Sequence, residues 1–276
     1  MRSVSGSGSA VFIGSAAGSA VAFAGVYLFF VTTNAGQLLD EQAFEGARLG
    51  QRSLAPVTLS LLDSLPVLGV AIALLVAVIV TAIRHNWLVL AVAIPAAVAA
   101  NLLTQFLKNT VLDRPDLNVA GYAFNSLPSG HTTVAASAAM VVFLVSSPRM
   151  RPFAAAVGAL FAIVVGSSTL ANQWHRPSDV IAALLVVAFC GCLAGLVLAR
   201  FRSGPAERAG SGWNRILLWA ALPCAALAGL ALAVSAIRPA SALASLPFSY
   251  IGGVAGIAAS VLLLAAAANR AFRSLR

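Results

Sequence analysis

The chain has 276 residues, of which 60% are hydrophobic and only 9% charged, with a mean hydropathy of +0.94. Soluble domains carry about 25% charged residues, so this composition excludes a soluble enzyme, a disordered chain and a disulfide-stapled secreted scaffold. The formal net charge is +9, from 17 Lys+Arg against 8 Asp+Glu. In so apolar a chain that excess belongs to basic loops at a membrane surface rather than to nucleic-acid binding.

A bilayer-spanning helix takes about 20 apolar residues. Ala, Leu, Val and Gly dominate without the alternation of barrel strands, so the spans are expected to be helices. After a polar tail, MRSVSGSGSA, the first apolar run covers 11–31. It is too long for a typical signal-peptide core and reads as a retained span. Residues 33–65 are the longest polar stretch, and within them LLDEQAFEGARL predicts a short helix lying at the interface. Further spans are expected at 66–83, 87–107, 131–147, 152–171, 179–199, 215–236 and 247–268, eight in all, with Pro95 and Pro223 in mid-span positions that favour kinks. The fold class is therefore an all-α polytopic membrane protein. The Gly/Ser-rich loop FRSGPAERAGSGWN divides a six-helix part, 1–200, from a C-terminal part, 201–276, made of that loop and a two-helix hairpin. Cys190, Cys192 and Cys224 all sit in apolar runs and are expected to be packing residues without a disulfide or metal role.

Charge sets the expected topology. With eight spans, eleven basic residues fall on the side of the two termini and six on the other, the latter being Arg48, Arg52, Lys108, Arg114, Arg176 and Arg238. The positive-inside rule then makes both termini cytoplasmic and turns the loop 33–65 outward. Arginine-for-lysine usage and alanine richness suggest a GC-rich bacterial gene, hence a bacterial cytoplasmic membrane.

Polar residues near the membrane collect in three segments, all on the outward side: NLLTQFLKNTVLDRPD, SLPSGHTT and SSTLANQWHRPSDV. Lys108, the only lysine, shares a helical stripe with Asn101, Thr104 and Gln105. By itself it reads equally as a snorkelling helix-end lysine; with Arg114 it supplies cations for an anionic group. Pro128-Ser129-Gly130-His131 opens a helix. Ser129 there is an ordinary N-cap or part of a phosphate-binding helix N-terminus, and His131 beside it suits a general acid. His175 and Asp179 are spaced i, i+4. Either the carboxylate fixes the imidazole tautomer and leaves the other nitrogen nucleophilic, or it is an acidic first-turn residue after Pro177. His85 lies on the opposite side and reads as a loop residue.

Lys108…Arg114-Pro115, then Pro128-Ser129-Gly130-His131, then Ser168…His175…Asp179 resembles the three-part signature of the type-2 phosphatidic acid phosphatase family, K-x6-R-P, P-S-G-H and S-R-x5-H-x3-D. These are integral membrane lipid phosphate phosphatases related in fold to soluble vanadium haloperoxidases. The resemblance covers residues 100–200 directly, and through the six-helix layout 11–200. It implies that Lys108 and Arg114 bind phosphate oxygens, that Ser129 and the Gly130 amide add hydrogen bonds, and that His175 attacks phosphorus to form a phosphohistidine. It further implies that Asp179 orients His175 and that His131 protonates the leaving oxygen. No metal or other cofactor is implied. The substrate is expected to be a lipid phosphate such as a polyprenyl pyrophosphate or a phospholipid phosphate, met at the outer membrane face among membrane lipids. A phosphotransferase and a non-catalytic lipid-phosphate binder are the alternatives.

Two departures stand out. Five residues, not six, separate Lys108 from Arg114, and Leu107 occupies the usual lysine offset. The arginine expected after Ser168 is Thr169, which removes a bidentate cation. Arg176, on the stripe of Thr169 if that helix continues, is expected to take over part of its phosphate binding.

Overall fold

The computed structural model describes residues 6–119, 121, 124–201, 211–237 and 246–275; the side chains of 6–8, 49–66, 211 and 274 lie outside that description. So do the first five residues, most of the loop 201–214 and Arg238. Eight α-helices follow in order: α1 (Gly6–Phe30), α2 (Asn34–Arg84), α3 (Trp87–Phe106), α4 (Gly130–Val145), α5 (Arg151–Ala171), α6 (Pro177–Phe201), α7 (Ser211–Ile237) and α8 (Leu246–Ala271). Among the described residues there is no strand. Seven helical segments are long and apolar enough to cross a membrane, and α4 is a shorter apolar helix. At about 1.5 Å per residue, α4 spans less than the hydrocarbon core and sits inside the bundle. The chain is a polytopic helical membrane protein.

The main departure from expectation is α2. The polar stretch 33–65 does not form a separate interfacial helix; it is continuous with the second span in one helix of 51 residues. Thr33 caps its start, accepting from the Gly36 amide at 3.0 Å. Gly36 is required at this corner, because a Cβ there would overlap the Phe29 carbonyl of α1. Only the part from Val67 to Arg84 is apolar enough to span. The first turns, from Asn34, lie instead over one end of the bundle. At the far end His85 adopts φ 50 and its amide bonds back to Ala82, a left-handed C-cap. Pro95 and Pro223 lie inside unbroken α3 and α7.

The central helix is α6, buried along most of its length. It packs on α1, α3, α4 and α8. At Gly195 it comes so close to α1 that a Cβ would run into the Phe12 ring, the small-residue contact that membrane helices use in place of a hydrophobic drive. The C-terminal hairpin is part of the bundle: α8 packs on α2, α5 and α6 as well as on α7. The chain's last turn is tied down by the buried Arg151, which donates to the carbonyls of Phe272 at 3.1 Å and Leu275 at 2.6 Å. The cysteines are free, Cys190 and Cys192 buried on α6 and Cys224 half-buried on α7.

Candidate active site

The three polar segments meet at one end of the bundle, where α3 ends, α4 begins and α5 passes to α6. The tightest group surrounds Asp179. Its Oδ2 accepts from the Ser126 hydroxyl at 2.6 Å and from the Arg176 amide at 3.0 Å, and lies 3.3 Å from Nδ1 of His175. The local sequence explains this. α6 starts at Pro177, so Arg176 is its N-cap and Asp179 the third helical residue, whose carboxylate reaches back to the cap amide. His175 lies before the helix, not on it. The i, i+4 contact is thus made through a capping turn, and the first-turn acid and the histidine partner are the same carboxylate.

Asp40 of α2 satisfies the next orphan donor of α6. It accepts from the Ser178 amide at 3.1 Å and from the Ser178 hydroxyl. Asp40 lies before the membrane-spanning part of α2. Burial, reinforced by the nearby Asp179, raises its carboxyl from 3.8 to about 7, against the lowering effect of the Ser178 bonds and Arg176.

Ser129 caps α4, accepting from the Thr132 amide at 3.3 Å, while its own amide donates to the Asp179 carbonyl at 2.9 Å. The α4 N-terminus is thereby fixed to the first turn of α6. Gly130 is the first helical residue, so its amide has no partner within the helix. His131 is exposed; its ring stands 6.2 Å from that of His175 and 5.1 Å from Trp174, centroid to centroid. Lys108 and His175 both lie within electrostatic range of His131.

Lys108 sits in a π turn, Leu107–Val111, that ends α3. Leu107 packs into the core, so the apolar residue takes the inward place and the lysine the next one. The wider π turn rotates the chain less per residue than an α turn, a local means of absorbing an altered spacing. One of its carbonyls is taken from outside: the Asn125 amide donates to Lys108 at 3.2 Å, and also to Leu112, just past the turn, at 3.0 Å and to Leu127 at 3.1 Å. Asn125 thus straps the lysine segment to the Pro-Ser-Gly-His segment. Arg114, half-buried, lies within electrostatic range of Arg176, Asp40, Glu41 and Asp179. Burial and then the Arg176 charge lower its pKa.

The premise for Arg176 as a stand-in on the α5 stripe does not hold, because α5 ends at Ala171. Arg176 is 1% exposed and its Nε and Nη2 each reach Glu41 Oε2 at 2.7 Å. Nη1 donates to Ser126 at 3.2 Å, and the guanidinium carbon stands 5.3 Å from the Phe44 ring centroid. Thr169 is fully buried and returns its hydroxyl to the Gly166 carbonyl at 2.8 Å. The sequence analysis missed Glu41, Asp40, Asn125, Ser126 and Trp174. The signal for the first two was adjacent acids in a segment of helical character; Asn125 and Ser126 carried none beyond their place before Pro128.

Fold and site together define a polytopic helical membrane protein with a histidine-and-cation centre at one end of its bundle. A family model described as the PAP2 superfamily matches residues 17–203, more than half of the chain, and the chain belongs to that superfamily. Membership implies phosphatase-type phosphoester hydrolysis. The match ends shortly after α6, leaving α7 and α8 outside it. No curated protein and no solved structure matches the chain.

Proposed function

We propose that the protein hydrolyses a lipid phosphate or pyrophosphate at the outer membrane face, without a metal, through a phosphohistidine at His175. The observation that carries this is the buried Asp179–His175 pair with His131 beside it and the cations Lys108 and Arg114 at the same end of the bundle. With Nδ1–H held by Asp179, Nε2 of His175 carries the lone pair that attacks phosphorus. The bond to the lipid oxygen breaks as His131 gives that oxygen a proton. Water then attacks the phosphohistidine, passing a proton to His131, and the P–N bond breaks to release phosphate. Lys108, Arg114, Ser129 and the Gly130 amide hold the phosphoryl oxygens and stabilise the charge that develops on them.

A lipid substrate is supported by the apolar side chains exposed around the site end, Phe106, Val111 and Phe124. The outward face is supported by the basic bias: Arg84, Arg149, Arg151, Arg200, Arg215, Arg270 and Arg273 all lie at or beside helix ends on the opposite side. Among the described residues no group of three or more His, Cys, Asp or Glu could hold a metal ion.

The test is phosphate release by the purified protein in detergent from a panel of polyprenyl pyrophosphates and phospholipid phosphates, with and without EDTA. Release from at least one substrate, unchanged by EDTA, is expected. No release from any, or strict dependence on added Mg²⁺, contradicts the proposal.

A further inference from the structure

Gln37, Asp40, Glu41 and Phe44 are spaced i, i+3, i+4, i+7 on α2 and therefore share one face. Each is joined to a segment that carries a site residue. Gln37 donates to the Pro115 carbonyl, next to Arg114, at 2.9 Å. Asp40 takes the amide and hydroxyl of Ser178. Glu41 takes two guanidinium nitrogens of Arg176. Phe44 lies against the guanidinium and accepts from Gln173 at 3.1 Å through its carbonyl. None of these four belongs to the three-part signature, and all but Phe44 are among the buried polar residues of the chain.

We infer that this face of α2 is a positioning element of the site, and that Glu41 sets the His175 ring through Arg176, Ser126 and Asp179. It rests on the proposed phosphohistidine chemistry. The direction of the hydrogen bonds supports it. Arginine only donates, so Ser126 accepts from Arg176 and has its single proton left for Asp179, at 2.6 Å. Asp179, held by Ser126 and the Arg176 amide, then takes Nδ1–H of His175. The donors run outward from the Arg176 guanidinium, to Glu41 on one side and through Ser126 to Asp179 on the other, where they meet Nδ1–H of His175; linked bonds of this kind polarise one another in a low-dielectric interior. Arg176 is by this account a positioning residue whose guanidinium is committed to Glu41 and Ser126; it does not replace the arginine absent at position 169.

The test combines kinetics with an observable that needs no turnover. Outer partners that orient metal-bound histidines are worth roughly 10- to 100-fold in activity, and an effect of the same order is expected for a histidine that acts as nucleophile. Glu41→Gln and Ser126→Ala should each lower kcat by that order with KM nearly unchanged. The double variant should be no slower than the worse single one, because both act through the same carboxylate. Glu41→Asp should recover part of the loss. The chain has three histidines, so ¹⁵N-histidine NMR in micelles can follow the His175 tautomer directly. The Nδ1–H form should dominate in the parent and give way to a mixture in both variants. A rise in KM at constant kcat would instead make Arg176 a phosphate ligand and overturn the inference, as would multiplicative losses or an unchanged tautomer. If Glu41→Gln fails to fold, Ser126→Ala decides alone, since it leaves the ion pair intact. If the parent releases no phosphate but the tautomer responds as expected, the proposed function fails and the positioning network stands.

Discussion

The two ends of the bundle are built on opposite principles. At the site end, charged and polar side chains are buried and cross-linked: Glu41, Arg176, Ser126 and Asp179 form one hydrogen-bonded network and Asp40 with Ser178 a second beside it, together joining α2, the loop before α4, and the start of α6. In the half of the bundle nearer the opposite end, α1, α4, α5, α6 and α8 line an apolar pocket of about 380 Å³, partly open at the bundle surface and made largely of Ala, Gly, Leu and Phe. Between the two lies a close-packed layer, where a Cβ on Gly166 would meet Val180, Ile257 and Thr132. Buried polar groups cost free energy unless each finds a partner, and the site end spends its helix caps and its only long polar segment on supplying them. The opposite half is mainly apolar around that pocket and tolerates empty space there, with buried polar groups such as Arg151 at the helix ends. The difference teaches that geometric precision is concentrated where chemistry is proposed.

Perturbations should therefore act very differently at the two ends. The largest effect is expected from His131→Ala, where loss of a general acid costs on the order of 10²–10⁴-fold in turnover of a lipid phosphate. The same variant should be far less impaired toward an aryl phosphate whose leaving oxygen needs no protonation. Equal losses on both substrates would remove His131 from that role.

A smaller effect is expected at Asp40. Its carboxyl in the fold stands at about 7 against an ordinary 3.8, so the native state holds this proton more tightly than the unfolded chain. Stability contributed by that group is complete below about pH 4 and is lost as pH rises through about 7. A difference of three units has a ceiling of about 4 kcal/mol. Asparagine keeps an acceptor for the Ser178 amide and a donor for its hydroxyl but does not ionise. Thermal unfolding of Asp40→Asn in detergent should consequently vary less between pH 4 and 7 than that of the parent. Parallel pH profiles would show that Asp40 is not the group responsible.

The smallest effect belongs to the opposite half. Ala188→Leu projects into the apolar cavity, and filling such space typically adds about 0.5–2 kcal/mol. A modest rise in melting temperature with unchanged kcat is expected. A loss of activity would show that the cavity communicates with the site through the packed layer.

Much of this was legible in the sequence, for identifiable reasons. Among the described residues, composition and apolar run length located the seven span-length segments and the shorter α4, because membrane spans leave a signal of about 20 residues. Lys108, His131, His175 and Asp179 were legible as motifs, and the structure brings them to one end. What stayed hidden was the role of α2. Its first turns look like a surface segment, since Asp40, Glu41, Glu45 and Arg48 are the residues of a solvated face, and Glu45 and Arg48 do pair with each other near solvent. Only the tertiary fold shows that the adjacent acids turn inward against α6. Arg176 was misplaced for the same reason: its partner lies 135 residues away, beyond the reach of any local spacing. The π turn at Lys108 was likewise invisible: the Asn125 amide that takes the Lys108 carbonyl lies 17 residues further on.

The central claim is that His175 is the nucleophile. It is tested most directly by alkaline rapid quench of the protein with ³²P-labelled lipid phosphate, followed by mapping of the labelled residue. Phosphohistidine survives alkali, so the account predicts a burst of base-stable, acid-labile label on His175, absent from His175→Ala although that variant remains folded. Label on another residue, or turnover persisting in His175→Ala, would contradict it.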